Sequence, residues 1–245
     1  MEENNIIAKY TSIDWYDLCK KEKLSEEFMR KYSDKLIWKN ISEYQELSEE
    51  FIRDFHDKVD WDKISANQKM SIHFIQQFKE KINWIYFCTY QKVTENIVYN
   101  FMEYIQWDII SSSQTLSEDF IRKFQDKVNW KHISSCQELS EDFIREFQNK
   151  VDWKSISKEQ TLSEDFIRKF QDKVNWEYIS SCQTLSEDFI REFQNKVDWI
   201  YISYYQTLSE NFIIEFKNRV DWSIIKKRQN MTLKLYKLYK SIIKN

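Results

Sequence analysis

The chain has 245 residues, a formal net charge of −3, and neither glycine nor proline. The lack of glycine excludes glycine-rich phosphate loops and nucleophile elbows, which need glycine at fixed positions. The four cysteines form no CxxC pair, so we expect reduced thiols and an intracellular, cytoplasmic protein. A signal-peptide pattern and an apolar run of about 18 residues are both absent from the sequence, which predicts no membrane association.

Tryptophan recurs at a constant interval of 23 residues. A short fixed period is typical of one supersecondary unit copied along the chain. The sequence therefore predicts an all-α fold, an α-solenoid of about ten two-helix repeats with divergent capping ends. We expect residues 1–245 to form a single repeat domain, with an N-terminal cap over 1–14, repeats over 15–225 and a basic capping helix over 226–245. The tryptophans are Trp15, Trp38, Trp61, Trp84, Trp107, Trp130, Trp153, Trp176, Trp199 and Trp222.

The first helix of each repeat, helix A, is predicted to run from the tryptophan to about position +7, counting from the tryptophan. Trp, Ile, Ser and Gln recur at positions 0, +3, +4 and +7, which form one face of an α-helix. Asp or Asn directly before the tryptophan, as at Asp152 and Asn175, is the predicted N-cap. Ile37 and Gln106 occupy this place in two repeats, where we expect local irregularity.

The second helix, helix B, is predicted to begin after position +10. This residue is Ser in eight repeats and Thr in two, and we expect hydroxyls such as those of Ser140 and Ser163 to cap the helix. Apolar residues follow at +13, +14, +17 and +21, a helical spacing. Helices this short are marginal alone, so neighbouring repeats must stabilise them. Predicted core residues include Trp130, Ile133, Phe143, Phe147, Trp153 and Trp176.

A second periodicity of 46 residues alternates lysine and glutamate at position +16, as in Lys123, Glu146, Lys169 and Glu192. It indicates duplication of a two-repeat block. The unit (D/N)-W-x-x-I-S-x-x-Q-x-L-S-E-x-F-I-x-x-F spans nearly the whole chain and resembles tandem repeats in uncharacterised proteins of giant DNA viruses of the mimivirus type. The resemblance implies a viral or amoebal-host setting, with the host cytoplasm as location, and no particular activity.

Two polar ladders follow the repeat, glutamine at +7 and arginine at +15. The glutamines have the spacing to read a repeated ligand, but their amides can also bond the following turn and the free carbonyls at the end of helix A, which we favour. Each arginine follows a glutamate by four residues, as Arg145 follows Glu141, which favours a solvated ion pair over a phosphate-binding stripe. The arginines are Arg53, Arg122, Arg145, Arg168 and Arg191.

Six tyrosines replace Lys, Ser or Glu at the variable positions of helix A and should point away from its Trp/Ile face. Exposed tyrosines are enriched at binding surfaces, because the ring supplies area and the hydroxyl a polar group. Alternatively, they cover grooves between adjacent repeats. We predict partner contact first at Tyr178, Tyr201, Tyr204 and Tyr205. The remaining two are Tyr86 and Tyr90.

The C-terminal segment 226–245 holds seven of the 37 basic residues and no acidic residue, which leaves 30 basic against 40 acidic residues upstream. Its lysines could contact nucleic acid or an anionic membrane, but lysine near a helix end also complements the helix dipole, which we favour. An acidic array with a small basic end does not have the charge distribution of a protein that tracks phosphates.

Catalytic and metal sites are not predicted, because His56, His73 and His132 occupy three different repeat positions. Cys136 and Cys182 share position +6 two repeats apart, which is too far for a disulfide. We therefore predict a monomeric, non-catalytic scaffold without cofactor that binds a protein or peptide. The alternatives are a nucleic-acid-binding array that uses the arginine ladder and the basic end, and a structural element that assembles end to end.

Overall fold

A computed structural model describes residues 14–242, and the predicted cap over 1–14 lies outside them except for Asp14. Regular structure in this part of the chain is entirely helical, with two helices in each 23-residue repeat, which confirms the predicted all-α solenoid of two-helix repeats. Odd-numbered helices below are A helices and even-numbered ones are B helices. The bounds are α1 Trp15–Lys21, α2 Glu26–Lys31, α3 Trp38–Tyr44, α4 Glu49–Asp54, α5 Trp61–Asn67, α6 Ile72–Phe78, α7 Trp84–Tyr90, α8 Glu95–Phe101, α9 Trp107–Ser113, α10 Glu118–Lys123, α11 Trp130–Cys136, α12 Glu141–Glu146, α13 Trp153–Glu159, α14 Glu164–Lys169, α15 Trp176–Cys182, α16 Glu187–Glu192, α17 Trp199–Tyr205, α18 Glu210–Glu215, α19 Trp222–Arg228 and α20 Leu233–Ile242.

Residue contacts divide the chain into two compact units, with the boundary between Gln114 and Thr115. The first unit contains α1 to α9 and the second contains α10 to α20. Inside each unit, the A helices of consecutive repeats pack on one another. That residues 1–245 form a single domain stays a prediction.

Helix A begins at the tryptophan and ends at position +6, one residue earlier than predicted. Gln160, for example, has the extended backbone of a C-cap, with φ −95° and ψ 147°. The predicted N-caps are present: the Asp152 side chain accepts from the N–H of Ser155, and Asn175 accepts from Tyr178. Ile37 and Gln106 form no side-chain cap bond, yet α3 and α9 start at the usual place. The irregularity expected in these repeats is therefore limited to the missing cap.

Helix B is capped as predicted, since Ser140 accepts from the N–H of Phe143 and Ser163 from that of Phe166. In most described repeats the helix ends at position +16, the aromatic residue of position +17 is its C-cap, and a turn leads back to the next helix A. Every described residue keeps a negative φ, which explains how these turns form without glycine. The basic segment predicted as one capping helix is divided: its first residues finish α19, and α20 starts at Leu233 after Thr232, whose hydroxyl accepts from the N–H of Leu235.

The core is formed by positions +3, +9, +13, +14, +17 and +21, with Ile133 and Phe143 fully buried and Phe147 7% exposed. Most tryptophans lie at its edge, and the predicted core residues Trp130, Trp153 and Trp176 are only half-buried, whereas Trp84 is 7% exposed. The Trp130 ring packs 5.0 Å from that of Phe147, and its Nε1 donates to the carbonyl of Gln125 at 2.8 Å. A lysine ammonium, that of Lys150, lies 5.8 Å from the ring. The polar N–H of the indole is thus satisfied by a backbone acceptor in the turn before helix A.

Candidate functional site

The glutamine ladder joins consecutive repeats and is not available to a ligand. Gln160 is 7% exposed, and its Oε1 accepts from the N–H of Leu139 at 3.0 Å. Its Nε2 donates to the carbonyls of Ser134 at 3.1 Å and Gln137 at 2.8 Å. All three partners belong to the preceding repeat, whereas we expected the amide to bond the turn after its own helix A and the free carbonyls at the end of that helix. The glutamines therefore have the structural role that we favoured over ligand reading. The same pattern occurs at Gln45, Gln68, Gln183 and Gln206.

Position +4 provides a second link between repeats. The Ser134 hydroxyl donates to the carbonyl of Trp130 at 2.7 Å and accepts from the N–H of the next cap, Asp152, at 2.9 Å. Cysteine replaces this serine in two repeats, and its Sγ lies 3.5 Å from the backbone nitrogen of the following cap residue. Those residues are the two that lack a capping side chain. Sequence reasoning missed this coincidence, although the pairs are visible in the sequence as Cys19 with Ile37 and Cys88 with Gln106.

The arginine ladder is also engaged within the molecule. Arg122 Nε donates to Glu146 Oε2 of the next repeat at 2.8 Å, and its Nη1 donates to Asp119 at 2.9 Å. The predicted partner four residues earlier, Glu118, lies farther away at 3.4 Å. The hydrogen bond with Glu146 is the main cause of the raised pKa of Arg122. The guanidinium groups that are paired in this way link repeats and are not open to phosphate. Arg168 and Arg191 repeat the arrangement with Glu192 and Glu215.

The structure brings three of the predicted tyrosines together on α17. Tyr204 is 39% and Tyr205 56% exposed, and their ring centroids lie 4.6 Å apart. The ring of Tyr201 lies 6.1 Å from that of Tyr205. The preceding residue, Ile200, is 58% exposed and was not predicted as part of the site. We name Ile200, Tyr201, Tyr204 and Tyr205 the tyrosine surface.

Charged residues flank the tyrosine surface on the neighbouring A helices. The Tyr201 hydroxyl donates to Glu177 Oε1 at 3.4 Å, and the negative charge of Glu177 raises the pKa of Tyr201. On the other side, the Arg228 guanidinium contacts the Tyr204 hydroxyl and lies 3.9 Å from its ring centroid. Tyr178, the fourth predicted residue, is half-buried, and among the described residues no ring contact joins it to this cluster. The Lys154 ammonium lies 5.8 Å from its ring centroid.

A smaller pair forms in the first unit, where the rings of Tyr86 and Tyr90 lie 6.2 Å apart and nearly parallel, at 15°. They border a shallow groove of about 230 Å³ together with Lys63 and Glu43, whose ion pair measures 3.0 Å. Ile85 beside them is 56% exposed. Both tyrosine clusters therefore occur where helix A begins with the sequence Trp-Ile-Tyr, a signal that a search for departures from the repeat would find.

A search of the described residues for metal-binding groups and membrane-spanning helices gave two further results. Between residues 14 and 242, no three His, Cys, Asp or Glu side chains form a group suited to a metal ion. None of the described helices is long and apolar enough to cross a membrane. Comparison with known proteins found no matching family model, curated protein or solved structure.

Proposed function

We propose that the protein is a non-catalytic scaffold that binds a protein or peptide through the tyrosine surface. The observation that supports this most is the exposure of Ile200, Tyr204 and Tyr205 on a single helix. Two repeats earlier the same positions carry Lys154, Lys158 and Glu159, so the core does not require apolar residues there. Exposed aromatic clusters are over-represented in interfaces, where a few such side chains supply most of the affinity.

The charges beside the tyrosine surface support a proposal about the chemistry of the partner. Arg228 and the exposed Lys227 lie at one border, and Glu177 lies at the other. We therefore propose an apolar or aromatic segment with an acidic residue on the Arg228 side. Nucleic acid is a weaker candidate, because the arginines that would contact phosphate, such as Arg122, already hold carboxylates.

Selection from a random-peptide phage library tests this function. The full chain serves as bait, and a variant with Tyr201→Ser, Tyr204→Ser and Tyr205→Ser is the counter-screen. Selected peptides should bind the triple variant at least about tenfold more weakly, since loss of one aromatic contact of about 1.4 kcal/mol has that effect.

Tyr16→Ser is the matched control, because Tyr16 is an A-helix tyrosine that is 54% exposed but lies outside the cluster. Binding should be unchanged in this variant, and circular dichroism should show that every variant keeps its helices. Equal binding to the wild type and the triple variant would contradict the proposal, as would failure to enrich any peptide.

A further inference from the structure

The arginines of position +15 follow a rule of pairing with the next repeat. In four described repeats besides that of Arg122, the side chain at +15 reaches an acceptor at +16 of the following repeat. The acceptor is a carboxylate in three of these and an amide oxygen in the other. The pairs are Arg30 with Asp54, Arg53 with Gln77, Arg168 with Glu192 and Arg191 with Glu215.

Arg145 breaks this rule. The residue at +16 of the next repeat is Lys169, so the chain places a second positive charge where the carboxylate belongs. Among the described residues, Arg145 Nε is the one buried side-chain nitrogen or oxygen that has no hydrogen-bond partner. Its guanidinium contacts Asp142 and lies 5.8 Å from the ring of Phe166, whereas Arg122 lies 5.1 Å from Phe143.

An unpaired, shielded guanidinium N–H costs free energy, because it has lost its hydrogen bond to water without gaining another. Lys169 is exposed, and its flexible stem allows it to swing away. A carboxylate entering between the two side chains would then meet two cations, one of which has a planar donor group already oriented by Asp142 and Phe166.

We propose that Arg145 and Lys169 form a binding site for a carboxylate, a glutamate or aspartate side chain presented by an acidic peptide. The carboxylate is the expected ligand because Glu146, Glu192 and Glu215 occupy the equivalent place beside the other arginines. The site lies on B helices, away from the A helix that carries the tyrosine surface. The proposal therefore holds even if the tyrosine surface binds nothing.

The site can be removed and recreated by exchanging residues that the repeats already use. Lys169→Glu supplies an internal carboxylate to Arg145, as Glu146 does to Arg122, and should close the site. Glu192→Lys places a lysine beside Arg168 and should create a second site. Both substitutions copy a neighbouring repeat at an exposed position, so we expect both variants to fold.

The measurement is an NMR titration of the arginine Nε–Hε signals of the full chain. The probes are a terminally blocked triglutamate peptide, a blocked triglutamine peptide and inorganic phosphate, all at one ionic strength. In the wild type the Arg145 signal should shift saturably with triglutamate and not with triglutamine. Lys169→Glu should weaken this binding about tenfold, and in Glu192→Lys the Arg168 signal should begin to respond.

Three results would overturn the proposal. They are an Arg145 signal that does not shift with triglutamate, an Arg145 signal that shifts equally in the wild type and in Lys169→Glu, and an Arg168 signal that does not shift in Glu192→Lys. A response to phosphate without one to triglutamate would overturn the assignment to a carboxylate.

Discussion

At the scale of single residues, the glutamine of position +7 does what no apolar residue of its size can do. Gln160 satisfies three buried backbone groups of the preceding repeat, those of Leu139, Ser134 and Gln137. Because the amide has both an acceptor and two donor hydrogens, it closes the end of one helix A onto the next repeat. The residue is thus a specific connector.

Replacement of Gln160 by alanine should lower the free energy of unfolding by about 3 kcal/mol. The reason is that buried groups left without partners cost about 1 to 3 kcal/mol each, and some of them will find water. Urea denaturation followed by circular dichroism measures the change. Thr161→Ala, at the exposed neighbouring residue, is the control and should stay within about 0.5 kcal/mol. A similarly small effect of Gln160→Ala would refute the connector role.

Two of the four cysteine thiols should react fast with a disulfide reagent and the other two slowly. Cys136 and Cys182 are exposed, whereas Cys19 and Cys88 are buried, and burial raises the pKa of Cys88 to about 11. At pH 8 a thiol with that pKa is only about one part in a thousand thiolate, the reactive form. A disulfide reagent such as Ellman's should therefore titrate two thiols in the folded protein and four in urea.

The identity of the fast thiols can be checked by substitution. Cys136→Ser should remove one of the two fast equivalents, while Cys88→Ser should leave both. Rapid reaction of a third thiol in the folded protein would show that a cysteine of position +4 is open to solvent, contrary to its burial.

At the scale of the helix, capping defines where each element begins. Asp152→Ala removes the bond to the N–H of Ser155 and should cost about 1 kcal/mol, the usual value of an N-cap. Asp152→Asn keeps an acceptor and should cost no more than a few tenths. Gln106→Asn should do the opposite and stabilise the first unit, because its φ of −86° and ψ of 86° resemble those of the natural cap Asn83, at −79° and 97°.

Thermal and urea unfolding of the three variants measure these effects. The order of stability separates capping from charge: if Asp152→Asn were as unstable as Asp152→Ala, the carboxylate charge and not the cap would be the cause.

The helices themselves were predictable because their signals are local. The caps Ser140 and Asp152 lie within four residues of the groups that they bond, so their positions in the sequence are sufficient. The partners of Gln160, and Glu146 as the partner of Arg122, were not predictable in the same way, because they lie in neighbouring repeats and depend on how the repeats stack. For the same reason the sequence predicted exposed tyrosines but not the contact between Tyr204 and Arg228.

At the scale of the whole molecule, the links just described are all between adjacent repeats. The glutamine amide, the serine hydroxyl and the arginine guanidinium each connect a repeat to the one directly before or after it. Such a chain has approximately nearest-neighbour energetics, in which stability is a sum over repeats and their interfaces. Removal of one whole repeat should therefore leave the remaining interfaces intact.

Deletion of residues 153–175 tests this in the second unit. It joins Asp152 to Trp176, which restores the natural cap-and-tryptophan junction and places Gln183 against the carbonyls of Ser134 and Gln137. The shortened chain should keep its ellipticity per residue and unfold cooperatively, at a lower urea midpoint because one interface is lost. Deletion of 153–163 removes α13 and its turn but keeps α14. It should unfold the unit, because α14 then has no helix A of its own repeat and the A helices on either side lose the helix between them. If both deletions unfolded alike, coupling between repeats would extend beyond the nearest neighbour.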